Sequence, residues 1–79
     1  MKLKRKYSYE RFVVIAHLNR TEKFLSKDFN RHHGKAYTLN LDKANKFYSV
    51  KEAKNAIWQM GIETVAEVKK VQVQMEIVR

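Results

Sequence analysis

The candidates for acid, base or metal chemistry are His17, His32, His33, Asp28, Ser26 and Glu22. An enzyme needs such groups to converge in a pocket. Asp28 with His32 and His33 would be a candidate metal site, since Asp at i and His at i+4 meet on a helix. Residues 27–35 are polar and aperiodic, however, and read as a loop, so the histidines are expected to be solvated there rather than to hold a metal. His17 falls within an apolar run and is expected to be partly buried and hydrogen-bonded. Gly34 stands alone, without the spacing of a phosphate-cradling loop. There is no cysteine, hence no thiolate chemistry and no Cys-ligated metal. The reading is a non-enzymatic protein without catalytic residues, metal or cofactor.

Cationic and aromatic residues are the stronger signal. Seventeen Lys/Arg against eight Asp/Glu give a net charge of +9 in 79 residues. Residues 1–40 carry ten basic and three acidic side chains, residues 41–79 seven and five. A surplus of this size favours polyanionic or acidic partners. Lys4, Arg5 and Lys6 of a basic N-terminal arm, with Arg11, Arg20, Lys23, Lys27, Arg31 and Lys35, are expected to form one positive rim that pairs with phosphates. Tyr7, Tyr9, Phe29 and Tyr37 are interleaved with them and suited to stacking on bases. Trp58 falls on a helix face beside Lys51 and Lys54. There it is either an exposed anchor for a partner or a cover for the core margin, packed on Tyr48 or the last strand.

These groups need a scaffold. The length allows one domain with one small core, burying only about 60–65% of the unfolded surface. Residues 1–10 are read as the arm and 11–79 as the domain. Arg11–Leu18 is rich in β-branched and aromatic residues and has apolar side chains on both faces, as in a strand covered on both sides. The polar turn 19–22 leads to a short strand, Lys23–Ser26. Alternation over 36–41 suggests a third strand, and Asp42 is expected to begin a helical turn. Ser49 with Glu52 forms a capping box, and Gly61 supplies the left-handed stop of the helix between them. Val50, Ala53, Ala56, Ile57 and Met60 form its apolar stripe.

Beyond Gly61 the period becomes two, with Val71, Val73, Met75 and Ile77 alternating with polar residues. Val68 is on the opposite phase, which predicts a β-bulge or break at Lys69–Lys70. The expected fold is α+β: an antiparallel sheet of three or four strands with one main helix on one face, in the order β-β-(β)-α-β. Its core would join Phe12, Val14, Ala16, Val71, Val73 and Met75 to the helix stripe. Were the last strand at an edge, its Gln72, Gln74 and Glu76 face would allow a homodimer; otherwise the chain is a monomer. The longest apolar run, Phe12–Ala16, is far short of a membrane span or signal-peptide core, so a cytoplasmic protein without membrane contact is expected.

The Lys23-Phe24-Leu25-Ser26 hairpin strand, Asp42-Lys43-Ala44, Phe47-Tyr48-Ser49, Lys51–Ile57 and the valine-rich last strand together resemble small proteins of phages and mobile elements of Gram-positive bacteria, over residues 11–78. The resemblance implies a non-enzymatic accessory role in the host cytoplasm, such as inhibition of host machinery in the manner of anti-CRISPR proteins. It carries no catalytic residues. Three functions follow in order: modulation of a host nucleic-acid-handling or defence nucleoprotein complex, direct binding of DNA or RNA, and sequestration of an anionic nucleotide.

Overall fold

The computed structural model describes residues 4–29 and 36–78. Four strands form one antiparallel sheet: β1 (Lys4–Leu18), β2 (Thr21–Leu25), β3 (Tyr37–Thr38) and β4 (Ala66–Val78), in the order β3-β2-β1-β4. One helix, α1 (Val50–Met60), lies between β3 and β4 in sequence and packs on one face of the sheet. This is the α+β arrangement expected from the patterning, with its fourth strand present.

The β1–β2 hairpin turns on Asn19 and Arg20, which take φ of 47° and 67°. A two-residue hairpin loop of this hand matches the right-handed twist of its strands, and asparagine tolerates it better than arginine. β3 is only two residues long; a 3-10 turn follows at Leu41–Lys43. That turn is capped by Asn40, whose side chain accepts the Asp42 N–H at 2.9 Å, and not by Asp42 itself.

At the start of α1 the Ser49 hydroxyl accepts the Glu52 N–H at 3.2 Å, as the capping box requires. The Glu52 carboxylate returns one residue further than expected, accepting from Tyr48 N–H at 3.0 Å. Gly61 (φ 66°, ψ 33°) ends the helix. Its N–H donates to Trp58 O, and that of Ile62 donates to Ile57 O. These are the two bonds of a Schellman motif, and its left-handed residue is the position that favours glycine.

Two expectations about the sheet are corrected. First, Lys4–Glu10 is no separate arm in its backbone: it is the first half of β1, paired residue for residue with Gln72–Val78. Basic side chains do not prevent a strand from forming where a neighbouring strand supplies a continuous register on one side. Second, β4 has neither bulge nor break at Lys69–Lys70. Its register with β1 is continuous from Lys4↔Val78 to Ala16↔Ala66. Strict alternation then puts Val68 and Ala66 on the face shared with Phe12, Val14 and Ala16, under α1. Val71 and Val73 fall beside Arg11 and Tyr9 on the other face, so they are not part of the helix-facing core. The change of apolar phase marks where the sheet stops being covered by the helix.

The core cluster is Val14, Leu25, Phe47, Ala53, Ala56 and Ile57, with Phe12, Phe29, Tyr37, Met60, Ile62, Ala66 and Val68 against it. Val13, on the opposite face, is only 1% exposed, as a strand covered on both sides demands. Phe47 pairs with Phe12 through two backbone bonds of 2.9 and 2.7 Å, which ties the segment before α1 to β1. From Arg11 outward, β1 has only β4 beside it among the described residues. The sheet there becomes a two-stranded ribbon, and the molecule is drawn out to 52 × 24 × 24 Å.

Candidate functional site: the outer face of the helix

Burying Ala53, Ala56 and Ile57 turns Lys51, Lys54, Asn55 and Trp58 outward, and all four are exposed. Spacings of three, four and seven place them in one stripe along the helix. Trp58 is 70% exposed, which decides between the two roles open to it in favour of the surface. No carboxylate pairs with Lys51 or Lys54 among the described residues. Glu52, the one acidic residue of α1, is held at the cap.

A shallow groove of about 700 Å³ adjoins this stripe. Phe12, Ile57, Ala66 and Val68 line it with hydrocarbon, and Glu10, Lys54, Glu63, Glu67 and Lys70 add charges around them. Val50, assigned to the helix core stripe by its spacing, is 40% exposed and lines the groove instead. It belongs to the first turn, where the helix overhangs the polar stretch of the sheet. Lys70 Nζ lies 3.5 Å from Glu10 Oε1 across the strands. Lys54 borders both groove and stripe, so the two form one surface with an aromatic anchor, unpaired ammonium groups and an apolar recess.

The remaining candidate residues separate. Lys4, Arg5 and Lys6 occupy β1 positions opposite Val78, Ile77 and Glu76. Arg20 lies at the hairpin tip beyond the other end of the same strand, about 40 Å away at 3.3 Å per residue. A single rim joining the N-terminal basic residues to the hairpin is therefore not formed. Lys23 sits opposite Ala16 on β2 and is half-buried; Lys27 is exposed in the turn after β2. Neither they nor Arg20 pair with a carboxylate among the described residues. Arg31 and Lys35, with His32 and His33, lie outside the described residues.

Arg11 and Tyr37 prove to be structural. The Arg11 guanidinium carbon lies over two rings, 4.3 Å from the centroid of Tyr9 and 4.4 Å from that of Tyr48, and the group donates to Glu10 O at 2.7 Å. Two ring contacts and one backbone hydrogen bond hold the group in place. Tyr37 packs against the core instead of offering a free ring. His17 is exposed rather than partly buried: its Nδ1 is 3.3 Å from Glu22 and its Nε2 3.6 Å from Glu67. The flanking strands supply those carboxylates, Glu22 directly opposite and Glu67 on the diagonal. No group of three or more His, Asp or Glu side chains among the described residues is arranged so as to hold a metal ion. No helix among them is long and apolar enough to cross a membrane.

Sequence reasoning missed Tyr48 as the second ring of the Arg11 clamp and Val50 as a groove residue. The only available signal was position. Both flank Ser49, where the chain turns from the strand edge into the helix.

The fold and this surface define a small α+β protein with an aromatic and cationic helix face. No protein family, curated protein or solved structure matches the chain.

Proposed function

We propose that the chain is a non-enzymatic binding protein that lays the outer face of α1 on a host nucleic-acid-handling or defence nucleoprotein complex and modulates it. One observation carries this reading: Trp58 is 70% exposed on a helix between lysines that lack carboxylate partners. Tryptophan left in water is a source of binding energy, and hot spots are enriched in it. Lys51 and Lys54 favour an acidic or phosphate-bearing counterpart. The resemblance to phage accessory proteins supports a defence complex such as a CRISPR effector as the target to test first.

A second reading, direct binding of DNA or RNA, is favoured by Arg20, Lys23 and Lys27, which have no carboxylate partner among the described residues. Capture from a Gram-positive host lysate, with and without nuclease, separates the two. A protein retained after nuclease, and lost with Trp58→Ala, supports the first. Bound material that disappears with nuclease supports the second. Capture unchanged by Trp58→Ala and by Lys51→Glu with Lys54→Glu overturns the assignment of this face. Folding should survive the first substitution, because little of the indole is buried.

A further inference from the structure

β4 is thirteen residues long, and no strand pairs with its outer side among the described residues. The hydrogen-bond parity of that free edge can be read from the structure. His17 N–H donates to Val65 O at 2.8 Å, so odd-numbered β4 residues bond toward β1. The N–H and C=O groups of Lys70, Gln72, Gln74 and Glu76 therefore point outward, away from any strand.

We infer that this edge is the seam of a two-fold homodimer, in which β4 pairs antiparallel with β4 of a second copy about Val73. The inference is independent of the function proposed for α1. Three observations carry it. The first is charge: with Val73 on the axis, Lys70 faces Glu76 of the second copy, twice, and Gln72 faces Gln74. Moving the axis one residue either way sets Lys70 against Gln74 or Val78 and leaves Glu76 against Val68 or Gln72. Of these three axes, the one at Val73 alone sets opposite charges face to face, as a self-complementary two-fold interface requires.

The second is the exposed backbone. From Val71 to Met75 the edge carries no charge, no proline and no glycine, so the devices that usually protect a free edge are missing from its middle. The four outward residues from Lys70 to Glu76 would each donate and accept once, giving about eight bonds across the seam. The third is the ribbon. Two strands alone are of marginal stability in water. Pairing at β4 converts each projecting β1–β4 ribbon into half of a four-stranded sheet and joins the Tyr9, Val71 and Val73 surfaces of both copies on one face.

The absence of cysteine makes the test clean. On the axis, Val73 meets its own copy as a non-hydrogen-bonded pair with Cα atoms about 4.5 Å apart, within disulfide reach. Val71 faces Met75, which leaves two copies of residue 71 about 13 Å apart, beyond it. Mild oxidation should therefore link Val73→Cys into a covalent dimer and leave Val71→Cys monomeric. Sedimentation of the untreated protein should show a concentration-dependent dimer. Glu76→Lys should weaken it about tenfold, and Lys70→Glu with Glu76→Lys should restore it. Circular dichroism reports whether each variant folds. A wild-type chain that stays monomeric, or cysteines at 71 and 73 that link equally well, would overturn the seam.

Discussion

Arg11 clamps the sheet to the start of α1. Its guanidinium carbon lies 4.3 Å from the Tyr9 centroid and 4.4 Å from that of Tyr48, the residue before the Ser49 cap. At sites open to water each such contact contributes about 0.5–1 kcal/mol, so Arg11→Gln should lower stability by about 1–2 kcal/mol. Urea unfolding of Arg11→Gln, Tyr48→Leu and the double variant closes a thermodynamic cycle. The expected coupling is about 0.5–1 kcal/mol, and Tyr9→Leu should give a similar value. Coupling indistinguishable from zero at both rings would refute the clamp. The same geometry bears on function. With its guanidinium held by two rings and a backbone carbonyl, Arg11→Gln should change affinity for a captured partner much less than Trp58→Ala does. An equal loss would return Arg11 to the binding surface.

Arg20 holds φ of 67°, where an L side chain costs about 1–2 kcal/mol over glycine. Arg20→Gly should therefore raise stability by about 0.5–1 kcal/mol once the extra freedom of the unfolded chain is subtracted, read as a higher urea midpoint. At the ends of α1, Ser49→Ala and Gly61→Ala should each cost about 1 kcal/mol. A Cβ at Gly61 meets no atom within 4 Å, so the second loss should come from backbone strain alone. Hydrogen exchange should alternate along β4 in dilute solution. The Val71 and Val73 amides should be protected by β1, with Gln72 and Gln74 exchanging quickly. Equal protection at all four under monomeric conditions would contradict the register.

The helix was the most legible element, because its limits depend on local chemistry: a Ser49–Glu52 cap, a period of 3.6 and Gly61. The sheet was legible in its strands and less so in its faces. Alternation in β4 shows which residues share a side but not which side the helix covers. Val68 and Ala66 won that place because the hairpin and α1 both gather at one end of β1. The composition of Lys4–Lys6 suits a solvated arm, whereas its pairing depends on a partner strand distant in sequence. The same limit hid the clamp: Tyr9, Arg11 and Tyr48 are joined only by tertiary structure. The helix wheel put Trp58 beside Lys51 and Lys54, but whether the ring faced solvent depended on how far the sheet extends under the helix.

The central claim, that the outer face of α1 is a docking surface, is tested most directly by the fluorescence of Trp58, the only tryptophan in the chain. In the free protein its emission should be that of a water-exposed indole, fully open to a soluble quencher. Saturation with the partner recovered by capture should shift that emission to the blue and shield it from the quencher. Lys51→Glu with Lys54→Glu should raise the concentration needed about thirtyfold, as expected when roughly 2 kcal/mol of hot-spot energy is lost. An indole that stays equally quenchable in the saturated complex would contradict the claim.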